Sequence, residues 1–124
     1  MELNDISGEI IGAAMKVHTE LGPGLLEGAY EACLEHELRK RGMKVLKQVD
    51  MPVHYDGVDI EVGYRLDLLV EDSVIVELKA CRQLAPVHHA QLLSYLKISG
   101  KPLGLLINFN VNHLKDGIER MINT

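Results

Sequence analysis

The chain has 124 residues, of which 47% are hydrophobic and 25% charged, values that are typical of one globular domain spanning residues 1–124. The net charge of −5 argues against strong non-specific binding to nucleic acid, although metal ions can neutralise part of an acidic site. No apolar run approaches the roughly 18 residues of a membrane span. The start of the chain lacks a signal-peptide pattern, and two distant cysteines without metal-ligand spacing favour a reducing, cytoplasmic location.

Two helices are predicted first. Apolar residues recur at helical spacing from about Asn4 to Leu21, and Gly22-Pro23-Gly24 ends this segment. A second helix is predicted from about Leu25 to Arg41, with Gly42 as its C-terminal cap. Five basic residues cluster near its end, and we interpret them as an exposed helix end favoured by the helix dipole. The alternative is a phosphate-steering patch. The five are Arg39, Lys40, Arg41, Lys44 and Lys47.

Strands follow in the middle of the chain. Alternation over 44–49 places Val45 and Val49 on one face. The turn signal Asp56-Gly57 predicts a hairpin between strands 52–55 and 58–62. A second hairpin is predicted around Asp72, with strands over about 64–70 and 74–80.

The C-terminal part combines helices with one buried strand. A helix is predicted from near Pro86 to Gly100, followed by the continuous apolar strand Leu103–Phe109, which is typical of a sheet interior. A last helix is predicted over about Leu114–Ile122. Because a helix joins strands 74–80 and 103–109, the two should be parallel with a right-handed connection. The pattern predicts an α/β fold with a mixed sheet flanked by helices.

The hairpin around Asp72 carries the main candidate site. If the hairpin is symmetric, Asp67 faces Glu77 across the strands, and two opposed carboxylates destabilise a sheet unless something positive lies between them. Lys79 follows on the same strand face as Glu77. Two carboxylates suit Mg²⁺, with the backbone carbonyl of Leu78 as a further oxygen. A register slip of one residue would separate the carboxylates, and an exposed face with an ion pair to Arg65 or Lys79 is the plain alternative.

Two further motifs lie on predicted helices. Glu27 and Tyr30 are three residues apart and share a helix face, as do Gln91 and Tyr95 four apart. Each has an ordinary structural interpretation: an acid favoured in a first turn, a core tyrosine and the polar edge of an amphipathic helix. Gly28 is unusual inside a helix, and a close backbone approach would explain it.

Taken in order, these motifs resemble the PD-(D/E)XK nuclease superfamily, and more closely its GxxExxY family, over about Asn4 to Phe109. Leu66 stands where the core motif has its proline. The residues that carry the resemblance are Gly24, Glu27 and Tyr30 of the naming motif, Asp67 with Glu77-Leu78-Lys79 of the core motif, and Gln91 with Tyr95 of the RecB-like signature.

The resemblance implies a restriction-endonuclease-like αβββαβ core with a metal site at one sheet edge. It implies that Mg²⁺ or Mn²⁺ is bound by Asp67 and Glu77, with the Leu78 carbonyl as a further ligand. Glu27, near the metal from the helix, would be a catalytic residue and a further metal ligand. Lys79 would assist the attacking water. Substrate would be positioned by Gln91, Tyr95 and Tyr30.

The leading functional hypothesis is a metal-dependent nuclease that hydrolyses DNA by in-line attack of a metal-activated water. The alternative is a non-catalytic module that binds nucleic acid or protein and retains the nuclease fold, because an acidic chain of this size leaves little surface for gripping a duplex. A homodimer or a protein partner would then supply basic surface. A two-carboxylate glycosidase is a weaker alternative, since it gives Lys79 no role.

Overall fold

The structure is a computed structural model that describes the backbone of residues 1–124 and every side chain except that of Val62. None of the helices in this description is long and apolar enough to cross a membrane. In chain order, the elements are helices α1 (Leu3–Leu21) and α2 (Glu27–Lys40), strands β1 (Val45–Tyr55), β2 (Val58–Val70) and β3 (Val74–Lys79), helix α3 (Pro86–Ser99), strand β4 (Leu103–Asn108), a 3-10 turn (Leu114–Gly117) and strand β5 (Ile118–Ile122).

The five strands form one sheet in the order β1-β2-β3-β4-β5. Strands β3 and β4 are parallel, and all other neighbours are antiparallel. The larger core lies between the sheet and helices α1 and α2, and a smaller core lies on the opposite face beneath α3. The prediction of a mixed sheet flanked by helices, with a parallel pair joined through a helix, is confirmed.

Helix α3 packs closely on the middle of the sheet. A Cβ atom added to Gly104 of β4 would lie 2.9 Å from the Cδ1 of Leu92 in α3. The missing side chain therefore lets the helix approach the strand. Leu92 and Leu96 are both fully buried in the smaller core, and this contact fixes α3 across the strands that carry the candidate site.

Strands β1 and β2 form a longer hairpin than the sequence pattern predicts. Asp56 and Gly57 both have left-handed backbone conformations at its turn, as the turn signal predicts. The strands run without a break past Pro52, where the register shifts between Met51 and Val53. A Cβ atom on Gly63 would lie 2.1 Å from the Met51 carbonyl oxygen. The predicted break between 49 and 52 is wrong, because the irregularity accommodates Pro52, which cannot donate a ladder hydrogen bond.

Strand β1 changes the face on which its apolar residues are buried. Val45 lies in the core under α1 and α2, whereas Val49 packs against the core under α3, so the prediction that they share one face is wrong. The cause is Gln48, whose φ of 50° interrupts the extended backbone. Strand β2 changes face at the same level, since Leu66 and Leu68 belong to different cores.

The C-terminal helix predicted over 114–122 is absent from the described chain. Its first residues form the 3-10 turn, and its last five form β5, which pairs antiparallel with β4. A helical pattern of apolar residues does not distinguish the two for so short a segment. The strand is favoured because it satisfies the backbone groups along the outer edge of β4.

Candidate functional site

The hairpin β2–β3 places the two candidate carboxylates opposite each other. Leu68 pairs with Val76 and Val70 pairs with Val74, so the next position sets Asp67 against Glu77. The turn between the strands is tight, because Glu71 and Asp72 both have positive φ values. The register predicted from the sequence is therefore confirmed, and the slip that would separate the carboxylates does not occur.

Each carboxylate accepts a backbone hydrogen bond from the opposite strand. The N–H of Asp67 donates to Oε2 of Glu77 at 2.8 Å, and the N–H of Leu78 donates to Oδ2 of Asp67 at 2.9 Å. These bonds begin where the β2–β3 pairing ends. Backbone donors favour the charged form of a carboxyl group, so they offset part of the repulsion between the two side chains.

Burial still makes the charged pair unfavourable. Glu77 is only 4% exposed, and burial together with the charge of Asp67 raises the pKa of Glu77 to about 8. Burial also raises the pKa of Asp67. The Lys79 ammonium acts in the opposite direction on both pKa values, so it lies close enough to be felt by both acids.

No ion pair neutralises the two acids within the described part of the chain. Arg65 donates from Nε to Asp50 at 2.8 Å, and Lys79 forms no ion pair among the described side chains. The plain alternative, in which Arg65 pairs with Glu77 or Lys79 pairs with Asp67, is therefore not what the structure shows. The carboxylate pair is left with backbone donors and the field of Lys79.

Helix α2 brings two more acids toward the pair. Glu27 is the first residue of this helix and Glu31 lies one turn later. Burial, followed by the charge of Asp67, raises the pKa of Glu27. Burial is the main cause that raises the pKa of Glu31, and the charge of Asp67 raises this pKa further. A hydrogen bond from Gln48 opposes both by lowering it. The sequence analysis identified Glu27 but missed Glu31, although the four-residue spacing between them places both on one face of the helix.

The acids do not form a complete cage of side chains. Across the described residues, no group of three or more His, Cys, Asp or Glu side chains is placed to hold a metal ion. The role of Glu27 as a metal ligand beside Asp67 and Glu77 therefore stays a prediction. Two carboxylates with oxygen atoms from water, backbone or a phosphate remain a suitable donor set for Mg²⁺.

Tyr30 has a structural role. It is 0% exposed, and its ring stacks on Phe109 with centroids 4.6 Å apart. Its hydroxyl donates to the Gly22 carbonyl at 2.5 Å and accepts from the Leu25 N–H at 3.1 Å. Burial prevents the substrate contact that we expected of Tyr30, and its hydroxyl instead fixes the loop that precedes Glu27.

Gly28 does not serve a close approach within the chain. A Cβ atom at this position would meet no atom within 4 Å among the described residues. The prediction that a close backbone approach explains Gly28 is therefore not supported by its surroundings.

Gln91 and Tyr95 lie on the α3 side of the acids. The Gln91 amide donates to the Tyr95 hydroxyl at 2.8 Å, and the Tyr95 ring stacks on Tyr64 with centroids 4.7 Å apart. Burial and the charge of Glu77 raise the pKa of Tyr95, which places Tyr95 near the carboxylate pair. Gln91 is exposed, so its amide is open to solvent.

Asn108 is a structural polar residue that the sequence analysis missed. It is 2% exposed and pairs with Lys79 in the β3–β4 register. Its side chain accepts from the Cys81 N–H at 3.1 Å and donates to the Cys81 carbonyl at 2.9 Å. The single polar residue inside the apolar run 103–109 was the available signal. These bonds anchor the chain directly after Lys79.

The basic cluster at the end of α2 is mostly neutralised. Arg39 pairs with Glu35, Arg41 pairs with Glu37, and Lys47 lies 3.6 Å from Glu35. These pairs favour the interpretation of a solvated helix end over a phosphate-steering patch.

Comparison with known proteins identifies the family. No curated protein matches this sequence. The crystal structure of LHK-Exo in complex with dAMP is similar, with a TM-score of 0.49 and 13% identity over 98% of this chain and 83% of that one. The family model described as PD-(D/E)XK nuclease superfamily matches residues 4–121. This match supports a nuclease-type function on nucleic acid, in a superfamily that generally depends on divalent metals. The chain therefore belongs to the PD-(D/E)XK nuclease superfamily.

Proposed function

We propose that this protein is a deoxyribonuclease of the GxxExxY family that hydrolyses DNA phosphodiester bonds with Mg²⁺ or Mn²⁺. The observation that carries the proposal is the pair of half-buried Asp67 and buried Glu77. The two are opposed on neighbouring strands and have no paired cation among the described side chains. Lys79 lies two residues beyond Glu77 on the same strand. A divalent cation would remove the charge repulsion that the fold leaves in place.

The residues present fit such a cation. Asp67 and Glu77 offer hard oxygen ligands, the Leu78 carbonyl is a further candidate, and Glu27 would act at longer range or through water. A bound Mg²⁺ or Mn²⁺ would supply an activated water and stabilise negative charge on the scissile phosphate.

The chain's own residues would bind and orient the substrate. The ammonium of Lys79 would hold the attacking water or a phosphate oxygen by charge and hydrogen bonding. Gln91 and Tyr95 would contact the nucleic acid from α3, where the Gln91 amide is exposed and already bonded to the Tyr95 hydroxyl. Asn108 would act indirectly, by anchoring the chain after Lys79.

The chain's context within a cell belongs to the same proposal. One domain over residues 1–124, a cytoplasmic location and a second copy or protein partner that supplies basic surface all remain predictions. The net charge of −5 is the reason to expect such a partner, because most of the basic cluster is already paired within the chain.

Calorimetric titration of Mn²⁺ tests the metal site. We expect binding to the wild type that is lost in Glu77→Ala and unchanged in Glu61→Ala, a matched control whose glutamate is exposed on the same hairpin system. Equal binding to wild type and Glu77→Ala would place the metal elsewhere and contradict the proposed site.

Strand cleavage in Mn²⁺ tests the activity. Labelled single-stranded DNA, double-stranded DNA and RNA are incubated with the wild type and with Glu77→Ala. We expect DNA cleavage by the wild type alone. Binding of nucleic acid without cleavage would instead support the non-catalytic module, and preferred cleavage of RNA would correct the substrate.

A further inference from the structure

Gln48 adopts a backbone conformation that its position in a strand does not explain. Its φ is 50°, and the other described non-glycine residues with positive φ are Asp56, Glu71 and Asp72. Those three lie in the two hairpin turns, where left-handed residues are usual. Gln48 lies inside β1, where a left-handed residue costs on the order of 1 kcal/mol or more. Such a conformation persists only when its surroundings favour it.

The kink lies beside the carboxylate pair. The positions on either side of Gln48 both pair with β2, in a register that sets Gln48 opposite Asp67. It is also the level at which both strands change the face on which they bury apolar residues. The kink at Gln48 therefore turns the backbone of β1 at the level of Asp67.

The Gln48 side chain connects this point to helix α2. Its Nε2 donates to Oε1 of Glu31 at 2.6 Å. On the strand side, the backbone of Gln48 lies opposite Asp67 in the β1–β2 register. Gln48 therefore lies between an acid on α2 and an acid on β2. An uncharged amide donor suits this place. A cationic side chain would form an ion pair with the acids and compete with a metal ion for them, whereas a carboxylate would add repulsion.

We propose that Gln48 is a positioning residue of the acidic site: its amide joins β1 to α2 through Glu31, and this link holds the backbone opposite Asp67 in the shape that orients Asp67 toward a divalent cation. The inference rests on the proposed function, since its main readout is the affinity for that cation. Residues that orient a metal ligand without touching the metal commonly change metal affinity by about 10- to 100-fold.

The variant Gln48→Gly tests the contribution of the side chain separately from that of the backbone conformation. Glycine adopts a positive φ without strain, so this variant should fold at least as well as the wild type while losing the amide. The matched control is Asp56→Gly, which makes the same backbone change at a φ of 52° in the outer turn. We expect calorimetry to show Mn²⁺ binding weakened about 10- to 100-fold in Gln48→Gly and unchanged in Asp56→Gly.

The dependence of cleavage on metal concentration provides a second readout. Gln48→Gly should need more Mn²⁺ for half-maximal cleavage and recover most of the wild-type rate at saturating Mn²⁺. A purely structural role would lower the rate at every metal concentration. Wild-type Mn²⁺ affinity in Gln48→Gly would overturn the inference while leaving the proposed function intact. Absence of binding by the wild type would contradict the proposed function itself.

A metal-free measurement tests the link to α2 in either case. The unfolding free energies of Gln48→Gly, Glu31→Ala and the double variant are compared in EDTA. If the amide joins the two elements, Glu31→Ala should have a smaller effect in the Gln48→Gly background than in the wild type. Additive effects would overturn the inference, whatever the outcome of the metal titrations.

Discussion

The exposed acids of the β1–β2 hairpin, at the outer end of the sheet, and the acids of the β2–β3 pairing, at its inner end, are stabilised in different ways. At the outer end, Asp59 pairs with His54 and Asp50 pairs with Arg65, and all four side chains are well exposed. At the inner end, Asp67 and Glu77 are buried to a greater degree, and among the described residues they accept hydrogen bonds only from backbone N–H groups. Asp59 and Asp50 thus have basic partners, whereas Asp67 and Glu77 have no cationic partner among the described side chains.

The energetic balance differs accordingly. Exposed ion pairs contribute between zero and about 1 kcal/mol to stability, so the outer acids are nearly neutral for folding. A buried charge that lacks a partner costs several kcal/mol. The buried Glu77 and the half-buried Asp67 beside it therefore lower the stability of the metal-free protein when both are charged. Such a cost is expected at a functional site rather than in a structural core.

The largest contrast should appear in activity. Asp67→Asn keeps an acceptor for the Leu78 N–H but removes the charge, and we expect DNA cleavage in Mn²⁺ to fall by more than about 100-fold. Asp59→Asn, the same change at the outer end, should leave the rate within about twofold because an exposed pair contributes so little. Similar losses in both variants, measured with equal amounts of folded protein, would contradict the assigned difference.

The next effect is a pH-dependent change in stability. The pKa of Glu77 is raised from 4.5 to about 8 in the folded chain, so wild-type stability should fall as the pH rises between these values and stay level above pH 8. Glu77→Gln does not titrate. We expect it to be more stable than the metal-free wild type by about 1–3 kcal/mol at pH 8.5, with a much smaller difference at pH 4.5.

Urea unfolding in EDTA at both pH values measures this difference. Asp50→Asn serves as the control, because its exposed ion pair should give little change at either pH. A stability difference between Glu77→Gln and wild type that does not vary with pH would show that Glu77 is not held in a raised-pKa environment.

Loss of the Tyr30 hydroxyl should have a smaller effect. Tyr30→Phe keeps the stacking on Phe109 but leaves the Gly22 carbonyl and the Leu25 N–H without their shared partner. We expect a loss of about 1 kcal/mol in unfolding free energy. Tyr55→Phe is the control on the exposed hairpin, and a change in stability equal to that of Tyr30→Phe would be evidence against the loop-fixing role.

The smallest effect is expected at the outer hairpin. Val58 is 56% exposed, so Val58→Thr should change the unfolding free energy by less than about 0.5 kcal/mol. Val76→Thr, on the inner part of the sheet, puts a hydroxyl into a fully buried position and should cost about 1–3 kcal/mol. Thermal or urea unfolding compares the two, and equal costs would mean that the outer hairpin packs more tightly than its exposure indicates.

The sequence predicted the parts of the site that depend on a short turn. Once the turn near Asp72 is assigned, the two-residue period of the strands leaves little freedom for Asp67 and Glu77. Strands 74–79 and 103–108 were also readable, because their apolar runs are bounded by turn signals.

Features that depend on contacts between residues far apart in the sequence could not be predicted from the local pattern. The alternation of apolar and polar residues over 44–49 does not predict the kink at Gln48, which depends on Glu31 and on the opposite strand. The helical spacing over 114–122 was equally misleading, because the open edge of β4 selects a strand there. In both cases tertiary pairing overrides local pattern.

The two backbone N–H groups that bind the carboxylates also bear on when the site is occupied. Because they hold the strands together at this level, the hairpin keeps its shape in a metal-poor environment. Each carboxylate gives one oxygen atom to its N–H donor, and its second oxygen atom stays available to a cation. A phosphate from the substrate adds oxygen ligands, and metal and nucleic acid should then enter together. With such coupling, binding of the substrate itself completes the metal site.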